Sequence, residues 1–507
     1  MEVPTESAYI IVGGGLTGCA LAGRLAERLG PSSSILILEA GVDFTSNRNS
    51  TSLGGGFTLP GSELDWAYKT APNPALDNRV ITLVAGKTLG GGSVLNYGGW
   101  ARGDKRDYNA WARIVDDNRG SYKGLLPYFK RSESVHDAAA NPDQYGSHGP
   151  MKVTSISASD PKRRYPLREP ILKAWAEIGV EKIPTNTSKL DGLSEFLENF
   201  DDGIRQPSHF GLRPTWYQNP RATTVVLADG RHIKARKEII ISAGAVGSPQ
   251  LLQLPEVGPA SALNHHSIPV VFDLPAVGQN LFEHFASFQI IKLRNPVCGL
   301  SLGNPSLSDP AFFKGMPVDW GVNEALPAEM LQKALADDGD LSDVERLGEI
   351  GRNHVETMIL YNPLAPDVTV YGSFVGTSVM LPLPKSRGSL ELASASPNGP
   401  PVIAGNCFST ATDCAVIVYG ARRLLQCLTG TEIGKEFVET EVGPGQGLEP
   451  LTVEISDKDI EDRVRIVGNP HFYIAGTCAI GKVLDTNLRV KGIQGLRVVD
   501  ASISRHH

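Results

Sequence analysis

Apolar residues near the start of the chain follow a strand, helix, strand pattern. The run YIIV at residues 9–12 precedes a glycine-rich turn, an Ala- and Leu-rich stretch, the turn GPSSS and a second apolar run, ILIL. Short apolar runs bounded by turns are typical of buried parallel strands, and the stretch between them is long enough for a helix. The pattern predicts one βαβ unit over residues 9–41.

Further patterned segments occur in the centre of the chain. ADGRHIKARKEIIISAG predicts a hairpin that leads into a buried strand, and a helix is expected to begin near Ser248 and Pro249. VETMILYNPL, VTVYGSFVGTSVML and GSLELAS are apolar or alternating, which predicts a second sheet. EMLQKALADD and DVERLGEI are predicted to be helical.

Three glycines in the first turn, Gly13, Gly15 and Gly18, have the spacing G-x-G-x-x-G. The first permits a tight turn, the second lets a pyrophosphate approach the main chain, and the third allows close packing of helix and strand. The N–H groups that begin the helix then face the phosphates. Glu39 follows the second strand, where a ribose hydroxyl needs an acceptor. The unit is predicted to bind an adenine dinucleotide, and this motif alone does not separate FAD from NAD.

Composition and charge argue against several classes of function. The 507 residues are enough for two or more domains, and 41% of them are hydrophobic. A net charge of -7 without a basic run argues against a nucleic-acid partner. The sequence given shows neither an apolar run of about 18 residues nor a secretory signal pattern, so a cytoplasmic protein without a membrane span is predicted. Six cysteines occur without a CxxC pair, so neither a metal site nor a disulfide framework is predicted.

A second glycine-rich loop, GKTLGGGSVLNYGGWARGDKRDYNAW, spans Gly86 to Trp111. Its three consecutive glycines let main chain lie against a flat ligand, because they carry no side chains. Here the chain resembles the glucose-methanol-choline (GMC) family of flavin oxidoreductases, whose first signature it matches from Gly86 to Asn109. In that family the loop lies along the isoalloxazine and pyrophosphate, and the residue matching Asn96 sits by the reactive edge of the flavin. The alternative for Asn96 is a turn residue that caps local backbone.

The resemblance extends along nearly the whole chain. DWAYKTAPNP looks like the family segment before the flavin loop, DLPAVGQNLFEH like the loop that covers the flavin, and VLDTNLRVKGIQGLRVVDASI like the closing flavin segment. The resemblance implies a mixed α/β fold, with a Rossmann-like FAD-binding domain and a substrate domain built from a sheet plus helices. The predicted domains are a discontinuous FAD-binding domain at residues 1–150, 210–290 and 465–507, and a substrate-binding domain at residues 151–209 and 291–464.

FAD is the cofactor that the resemblance implies. Non-covalent binding is expected, because the loop from Gly90 to Ser93 has no His for covalent attachment. Asp500 and the backbone of Ala501 are expected to meet the ribityl-phosphate and pyrimidine end of the flavin, and the alternative for Asp500 is a turn acceptor. The residues predicted to bind FAD are Gly13, Gly15, Leu16, Thr17, Gly18, Glu39, Trp66, Lys87, Gly91, Ser93, Asn96, Asp500 and Ala501.

Alcohol oxidation by a flavin needs a base for the hydroxyl proton while a hydride goes to flavin N5. In the family this base is a His three residues before the Gly of a Gly-Thr pair, and in NPHFYIAGT that position is Tyr473. The usual catalytic His is therefore absent, and a phenol with an ordinary pKa near 10 accepts protons poorly at neutral pH. His471 lies two residues away, on the same face if this segment is a strand.

The candidate catalytic residues are therefore Tyr473, His471 and Asn96. Three interpretations stay open: His471 takes the proton, Tyr473 acts as an acid or hydrogen-bond donor, or Tyr473 only packs in a site that does not oxidise alcohols. Two departures add to this question. The family continues beyond VVDASI with a second His or Asn, and it has a further segment near residues 217–222. Either the chain is a shortened relative, or the sequence derives from an incomplete reading of a gene.

Three functions follow from these observations. The leading hypothesis is an FAD-dependent oxidoreductase that acts on the CH-OH group of a hydroxylated small molecule by hydride transfer to flavin N5, in specialised metabolite biosynthesis. The second is a flavin-bound enzyme without net redox chemistry, an isomerase, lyase or cyclase, that uses Tyr473 or His471 as its acid or base. The third is a non-catalytic relative that binds a ligand. Oligomeric state and electron acceptor are not predicted.

Overall fold

Two large β-sheets organise the protein. The computed structural model describes residues 4–137, 140–184, 191–207, 222–227, 229–339, 344–349, 352–363, 372–443 and 448–505. The strands are β1 (Glu6–Val12), β2 (Ile35–Leu38), β3 (Tyr68–Lys69), β4 (Thr82–Leu83), β5 (Glu133–Val135), β6 (Met151–Ser155), β7 (Gly192–Glu195), β8 (Leu197–Glu198), β9 (Phe200–Asp201), β10 (Ile204–Arg205), β11 (Thr224–Val226), β12 (His232–Ile241), β13 (Val257–Gly258), β14 (Phe272–Asp273), β15 (Gln279–Leu281), β16 (Phe285–Leu293), β17 (Trp320–Glu324), β18 (Val355–Leu360), β19 (Phe374–Met380), β20 (Gly388–Glu391), β21 (Val402–Ala404), β22 (Val438–Val442), β23 (Asn469–Pro470) and β24 (Leu496–Val498).

Helices pack against both sheets. The α-helices are α1 (Leu16–Leu29), α2 (Gly55–Thr58), α3 (Gly92–Leu95), α4 (Lys105–Val115), α5 (Tyr122–Ser132), α6 (Ile156–Ser159), α7 (Arg168–Glu177), α8 (Gly244–Gln253), α9 (Ala260–His265), α10 (Ala328–Asp337), α11 (Val344–Leu347), α12 (Ala411–Leu425), α13 (Glu432–Phe437) and α14 (Asp457–Val467). Single 3₁₀ turns lie at Phe44–Ser46, Arg48–Thr51, Pro74–Leu76, Asn118–Gly120, Pro296–Cys298, Pro305–Leu307, Pro310–Phe313 and Ala501–Ile503, and α12 continues into a π-helical turn, Gln426–Gly430.

The first sheet is built on the predicted βαβ unit. Strand β1 pairs in parallel with β2 on one side and with β12 on the other, and β24 continues the sheet in parallel beyond β12. Strand β11 pairs with β12 in the antiparallel sense, which is the predicted hairpin. Buried side chains of α1 and of this sheet, including Ile11, Ala22 and Ile35, share one apolar cluster. The Rossmann-like fold is thereby confirmed, and the first βα turn lies at the carboxyl end of β1.

The helix expected near Ser248 begins earlier, at Gly244. The Gly244 N–H donates a hydrogen bond of 3.0 Å to the carboxylate of Asp500, which comes from the far end of the chain. Ser248 also donates to this carboxylate, at 2.5 Å. A carboxylate that accepts from the first turn of a helix stabilises its N-terminus. The prediction of the helix start was therefore wrong, because the capping group is distant in sequence.

The second sheet is antiparallel and has the order β22-β16-β19-β18-β17-β7, with β23 also paired to β16. The predicted strands β18, β19 and β20 and the helices α10 and α11 are all present. Helix α12 covers one face, where Gly420 lies against Val355 and Val379. Side chains alternate along a strand, so Glu356 and Met380 point to the opposite face, which borders a cavity.

The predicted domain limits can be compared with these sheets. Residues 285–290, which were predicted to lie in the FAD-binding part, are the first residues of β16 in the second sheet. Phe285 is accordingly buried in the apolar cluster of the second sheet. The division into an FAD-binding and a substrate-binding domain stays a prediction.

Candidate active site

A large cavity borders both sheets. Its volume is about 4490 Å³, and its lining includes the first βα turn, the second glycine-rich loop and the open face of the second sheet. Gly15 and Glu39 lie at one part of the lining, while Glu356 and Tyr473 belong to the part beside the second sheet. One cavity therefore contacts the residues predicted for nucleotide binding and those predicted for catalysis.

The two glycine-rich loops touch each other in this cavity. The Gly90 N–H donates a hydrogen bond of 2.7 Å to the carbonyl of Gly14. Gly13 has a φ of +107°, and a Cβ on it would lie 2.3 Å from the carbonyl oxygen of Ser242. A Cβ on Gly18 would lie 2.1 Å from the Gly13 carbonyl oxygen. These two positions need glycine because of backbone contacts, which are the turn and packing roles predicted from the motif.

The start of helix α1 is open to the cavity. Gly15 is its N-cap residue and provides no side-chain hydrogen bond, and Leu16 and Thr17 follow on the cavity lining. N–H groups in the first turn of a helix have no partner within the helix. A Cβ on Gly15 would have no protein atom closer than 3.9 Å. The glycine is therefore not demanded by protein packing, and the uncapped helix end fits a pyrophosphate.

Glu39 lies beside this helix end, on the cavity lining. Its carboxylate accepts hydrogen bonds from the N–H groups of Gly14, at 2.7 Å, and Gly41, at 2.9 Å. Burial raises the pKa of Glu39, and these backbone hydrogen bonds partly oppose the effect. Each carboxylate oxygen keeps a second lone pair. Glu39 is thereby held in place while it can still accept from a ribose hydroxyl.

Trp66 and Lys87 form a flat wall of the cavity. The Trp66 ring stacks on Tyr68 with centroids 5.6 Å apart, and the Lys87 Nζ lies 4.7 Å from the Trp66 ring centroid. Trp66 is 40% exposed, which is unusual for so large an aromatic residue. Its position on the cavity lining explains this exposure.

Ser93 and Asn96 belong to the short helix α3 and its C-cap. The Ser93 hydroxyl donates to the Gly90 carbonyl at 2.7 Å, so it braces the glycine-rich loop. The Asn96 Oδ1 accepts from the Gly98 N–H at 3.0 Å, which is the local capping that the sequence left as an alternative. Asn96 is also exposed on the cavity lining, so its Nδ2 side is accessible to a ligand.

Arg205 is a residue that the sequence reasoning missed. Its buried guanidinium donates to the Ser93 carbonyl at 2.6 Å and to Asn96 Oδ1 at 3.2 Å, and it also contacts the Val94 and Ser50 carbonyls. Burial lowers the pKa of Arg205 to about 10. The guanidinium joins strand β10 to helix α3 and thereby fixes the loop that carries Asn96. A lone Arg in DDGIRQ gives no signal of this contact.

Asp500 and Ala501 also lie on the cavity lining. Besides capping α8, the Asp500 carboxylate accepts from the Ser502 N–H at 2.8 Å. The Ala501 carbonyl accepts from the Gly476 N–H at 3.2 Å. Asp500 therefore joins α8 to the last 3₁₀ turn, and Ala501 joins that turn to the segment that carries Tyr473.

Tyr473 stands in a row of rings at the second sheet. Its ring is nearly parallel to that of His471, with centroids 5.8 Å apart, and it lies 5.3 Å from the ring of His284. Phe288 stacks on His471 at 6.0 Å. Strand β23 ends at Pro470 and Phe472 has a φ of +67°, so the segment is not a regular strand. His471 and Tyr473 nevertheless share one side, because their rings stack, and the His471 N–H donates to the His284 carbonyl at 2.7 Å.

The electrostatic environment sets the protonation of these groups. Burial lowers the pKa of His471 to about 4, and burial together with the neighbouring His471 lowers the pKa of His284 to about 4. Burial and the charges of Glu356 and Glu283 raise the pKa of Tyr473 to about 12. Tyr473 is 56% exposed, and this surface lies on the cavity lining, where bound cofactor and substrate would cover it. At neutral pH the phenol donates hydrogen bonds, and the imidazoles are neutral acceptors or donors.

Glu283 lies directly behind Tyr473. Its Oε1 accepts from the Tyr473 N–H at 2.7 Å, while its buried Oε2 has no hydrogen-bond partner within the described ranges. Burial raises the pKa of Glu283 to about 8. Glu283, His284 and Glu356 were not among the predicted catalytic residues. The motif that contains the first two was assigned to flavin contact, and Glu356 lies in an ordinary strand pattern.

Two further features bear on the predicted partners. Among the residues that the structure describes, no group of three or more His, Cys, Asp or Glu side chains could hold a metal ion. A search of the same residues found no helix with the length and apolar character needed to cross a membrane.

Comparisons with known proteins agree with this geometry. Residues 7–229 and 216–286 match the family model of the N-terminal part of GMC oxidoreductases, and residues 384–506 match that of the C-terminal part. The chain is 36% identical to GMC-type oxidoreductase acuG of Aspergillus aculeatus, over 98% of this chain and 94% of that protein. It is 30% identical to oxygen-dependent choline dehydrogenase of Proteus mirabilis, over 98% of this chain and 91% of that protein.

A solved structure gives the same result. The crystal structure of formate oxidase superimposes with a TM-score of 0.84 at 27% identity, over 99% of this chain and 95% of that chain. These matches cover both sheets and the segments that line the cavity. The cofactor of this chain is FAD, and the residues around the uncapped start of α1 fit it. The chain belongs to the GMC oxidoreductase family.

Proposed function

We propose that this protein oxidises the CH-OH group of a hydroxylated small molecule, by hydride transfer to N5 of bound FAD. The observation that carries the proposal is one cavity that joins the uncapped start of α1 to the polar cluster around Tyr473. FAD is an extended ligand. With one end at the start of α1, it would bring its reactive ring near the polar cluster around Tyr473. Oxidoreductases of the same family support this reaction class.

The residues that would hold the cofactor fall into two groups. Gly15, Leu16 and Thr17 would face the pyrophosphate, and Glu39 would accept from the ribose. The second group, near the flavin ring, is Trp66, Lys87, Gly91, Ser93, Asn96, Asp500 and Ala501. When bound, FAD supplies a two-electron acceptor at N5.

Tyr473 would orient the substrate in this site. Its protonated phenol donates a hydrogen bond to the substrate oxygen, and the neutral rings of His471 and His284 beside it exclude water from that contact. His471 Nδ1 is buried and has no hydrogen-bond partner within the described residues. A tyrosine in place of the family base indicates a site adapted to a particular substrate, so we place the enzyme in specialised metabolite biosynthesis.

A second candidate function keeps FAD but has no net redox chemistry. The raised pKa of Tyr473, about 12, keeps the phenol protonated, so that it would polarise a substrate by hydrogen-bond donation in isomerisation, elimination or cyclisation. A third candidate, a relative that only binds a ligand, has no observation of its own in its favour. The buried titratable groups around the cavity argue for chemistry.

The visible spectrum of the purified protein separates these functions. We expect a flavin spectrum that bleaches anaerobically with at least one member of a panel of primary and secondary alcohols, and an equal amount of carbonyl product. A panel of matched ethers and alkanes is the control and should leave the flavin oxidised. Product formed without bleaching would support the non-redox enzyme, and a flavin that no alcohol reduces would overturn the proposal.

A further inference from the structure

Glu356 is an acidic side chain on the wall of the cavity with no apparent structural role. It lies on β18 and points away from α12, towards the cavity, while its neighbours Val355 and Thr357 point to the helix. Within the described residues, it has no cation and no hydrogen-bond partner. Glu356 is partly exposed, and a charged group that is largely removed from water without a partner costs free energy. Such a group is retained where a ligand or a reaction requires it.

The register of the second sheet locates Glu356 relative to the catalytic cluster. Glu356 pairs with Met380 of β19, and Met380 pairs with Ala286 of β16. Ala286 lies between His284 and Phe288, and side chains two apart share a face. Neighbouring strands are about 4.8 Å apart, so Glu356 and β16 are separated by about 10 Å across one open face. The side chains of Glu356 and Met380 on this face both extend into the cavity.

Glu356 also lies near the phenol of Tyr473. Its charge contributes more to the raised pKa of Tyr473 than the charge of Glu283, although Glu283 accepts a hydrogen bond from the Tyr473 N–H at 2.7 Å. Both carboxyl groups therefore act on the phenol through space. No direct hydrogen bond joins Glu356 to the phenol. Both side chains line the same cavity, where a substrate hydroxyl would lie.

We propose that Glu356 is the catalytic base of this enzyme, and that it takes the proton of the substrate hydroxyl that Tyr473 orients. The proposal rests on the proposed function. The O–H bond of the alcohol breaks and the proton binds a carboxylate oxygen. The C–H hydrogen leaves with its electron pair to FAD, which is reduced, and the alcohol is oxidised to a carbonyl compound. The carboxylate then replaces the His that relatives have at the position of Tyr473.

The protonation of the surrounding groups supports this assignment. Burial raises the pKa of Glu356 to about 7, which suits a base at neutral pH. The other titratable groups near the cluster are Tyr473, His471, His284 and Glu283, and the first three do not change charge between pH 6 and pH 9. The strands beside β18 place Asn323 and Met380 next to Glu356, and neither titrates. The rate of reduction should therefore fall as the pH falls through about 7.

Glu356→Gln tests the base directly, in flavin-loaded protein with the alcohol that bleaches the wild-type flavin fastest. We expect the limiting rate constant of anaerobic reduction to fall about 100-fold or more, with the Kd of the alcohol changed less than about 3-fold. The wild-type reduction rate should decrease at acid pH with an apparent pKa near 7. The reduction rate of the Glu356→Gln variant should not show this decrease. Glu356→Asp should restore part of the rate, whereas Met358→Leu, on the same strand and face, should behave as wild type.

A measurement without turnover gives a second test. Infrared difference spectra between wild type and Glu356→Gln should show a carboxyl band that disappears as the pH rises from 6 to 8. A carboxylate that stays ionised at pH 5 would overturn the proposal, as would a variant rate within about 5-fold of wild type. A raised Kd with an unchanged limiting rate would show a binding role only and also overturn it. If no alcohol bleaches the wild-type flavin, the proposed function fails and this proposal fails with it, whereas bleaching that is insensitive to Glu356→Gln overturns this proposal alone.

Discussion

Tyr473 stands at the position where the family resemblance leads us to expect a catalytic His. A His at this position would accept a proton near neutral pH, whereas the phenol is held protonated by burial and by nearby carboxyl groups. The segment around it is fixed by backbone contacts, since Phe282 and Ala475 exchange hydrogen bonds of 3.0 and 3.1 Å. Tyr473 is therefore held as a hydrogen-bond donor, and the proposed reaction needs another group to accept the proton.

Replacing Tyr473 with Phe separates donation from packing. If the phenol donates to the substrate oxygen, Tyr473→Phe should lower the anaerobic flavin reduction rate about 100-fold or more. The ring volume and its stacking on His471 are kept, so thermal stability should change little. Tyr419→Phe, in helix α12 and away from the cavity lining, is the matched control. An unchanged rate would mean that Tyr473 only packs.

At the scale of elements, the first βα turn and the second glycine-rich loop meet through their main chains. Gly13 is constrained by the backbone of Ser242 after β12 and Gly18 by the carbonyl of Gly13, while Gly15 has free space in front of it. Helix α1 therefore begins at an open position, and the second glycine-rich loop closes against it through Gly90. Gly13 and Gly18 are therefore required for packing, whereas Gly15 is the glycine proposed to contact the ligand.

Gly15→Val tests the ligand position without a packing defect. A Cβ at Gly15 would approach protein atoms no closer than 3.9 Å, so the variant should fold with a melting temperature near that of apoprotein. We expect it to purify without flavin, because the side chain occupies the place of the pyrophosphate. Absorbance at the flavin bands against protein concentration measures the occupancy. Gly54→Val, an exposed glycine outside the cavity lining, should retain flavin, and stoichiometric flavin in Gly15→Val would contradict the assignment.

At the scale of the whole molecule, folding buries titratable groups between the two sheets. Burial raises the pKa of Glu283 from 4.5 to about 8, so between these values the folded protein binds a proton that the unfolded chain has lost. Stability from this group is present at low pH and is lost as the pH rises towards 8. His284 and His471 act in the opposite sense, because their lowered pKa values make folding less favourable as the pH falls from 6.5 towards 4.

Glu283→Gln should remove the alkaline part of this dependence. The amide oxygen keeps the hydrogen bond from the Tyr473 N–H, and no charge has to be buried at high pH. Relative to wild type, the variant should gain stability as the pH rises from 5 to 9, on the order of a few kcal/mol at pH 9. Chemical denaturation at each pH measures the difference. Glu63→Gln, at an exposed position, should show no such trend, and an equal slope in Glu283→Gln would disprove the burial argument.

The sequence by itself determined the local elements and the cofactor. The spacing of Gly13, Gly15 and Gly18 with Glu39 identified the βαβ unit, because turn geometry and helix ends are set by neighbouring residues. The same holds for the pairing of β11 with β12 and for the strands of the second sheet. The absence of His at position 473 was also visible in the sequence, since the Gly-Thr pair fixes the position.

Only the tertiary structure decided which groups surround the reacting position. Arg205 reaches Ser93 from 112 residues away, and the Asp500 carboxylate caps a helix 256 residues earlier. Glu356 shares the open face of the second sheet with β16 only because β18, β19 and β16 pair in one register. Such contacts leave no periodic pattern in the chain, because a single polar residue in a strand looks the same whether it meets solvent or a cavity. Their protonation, too, depends on burial, which is a property of the packed molecule.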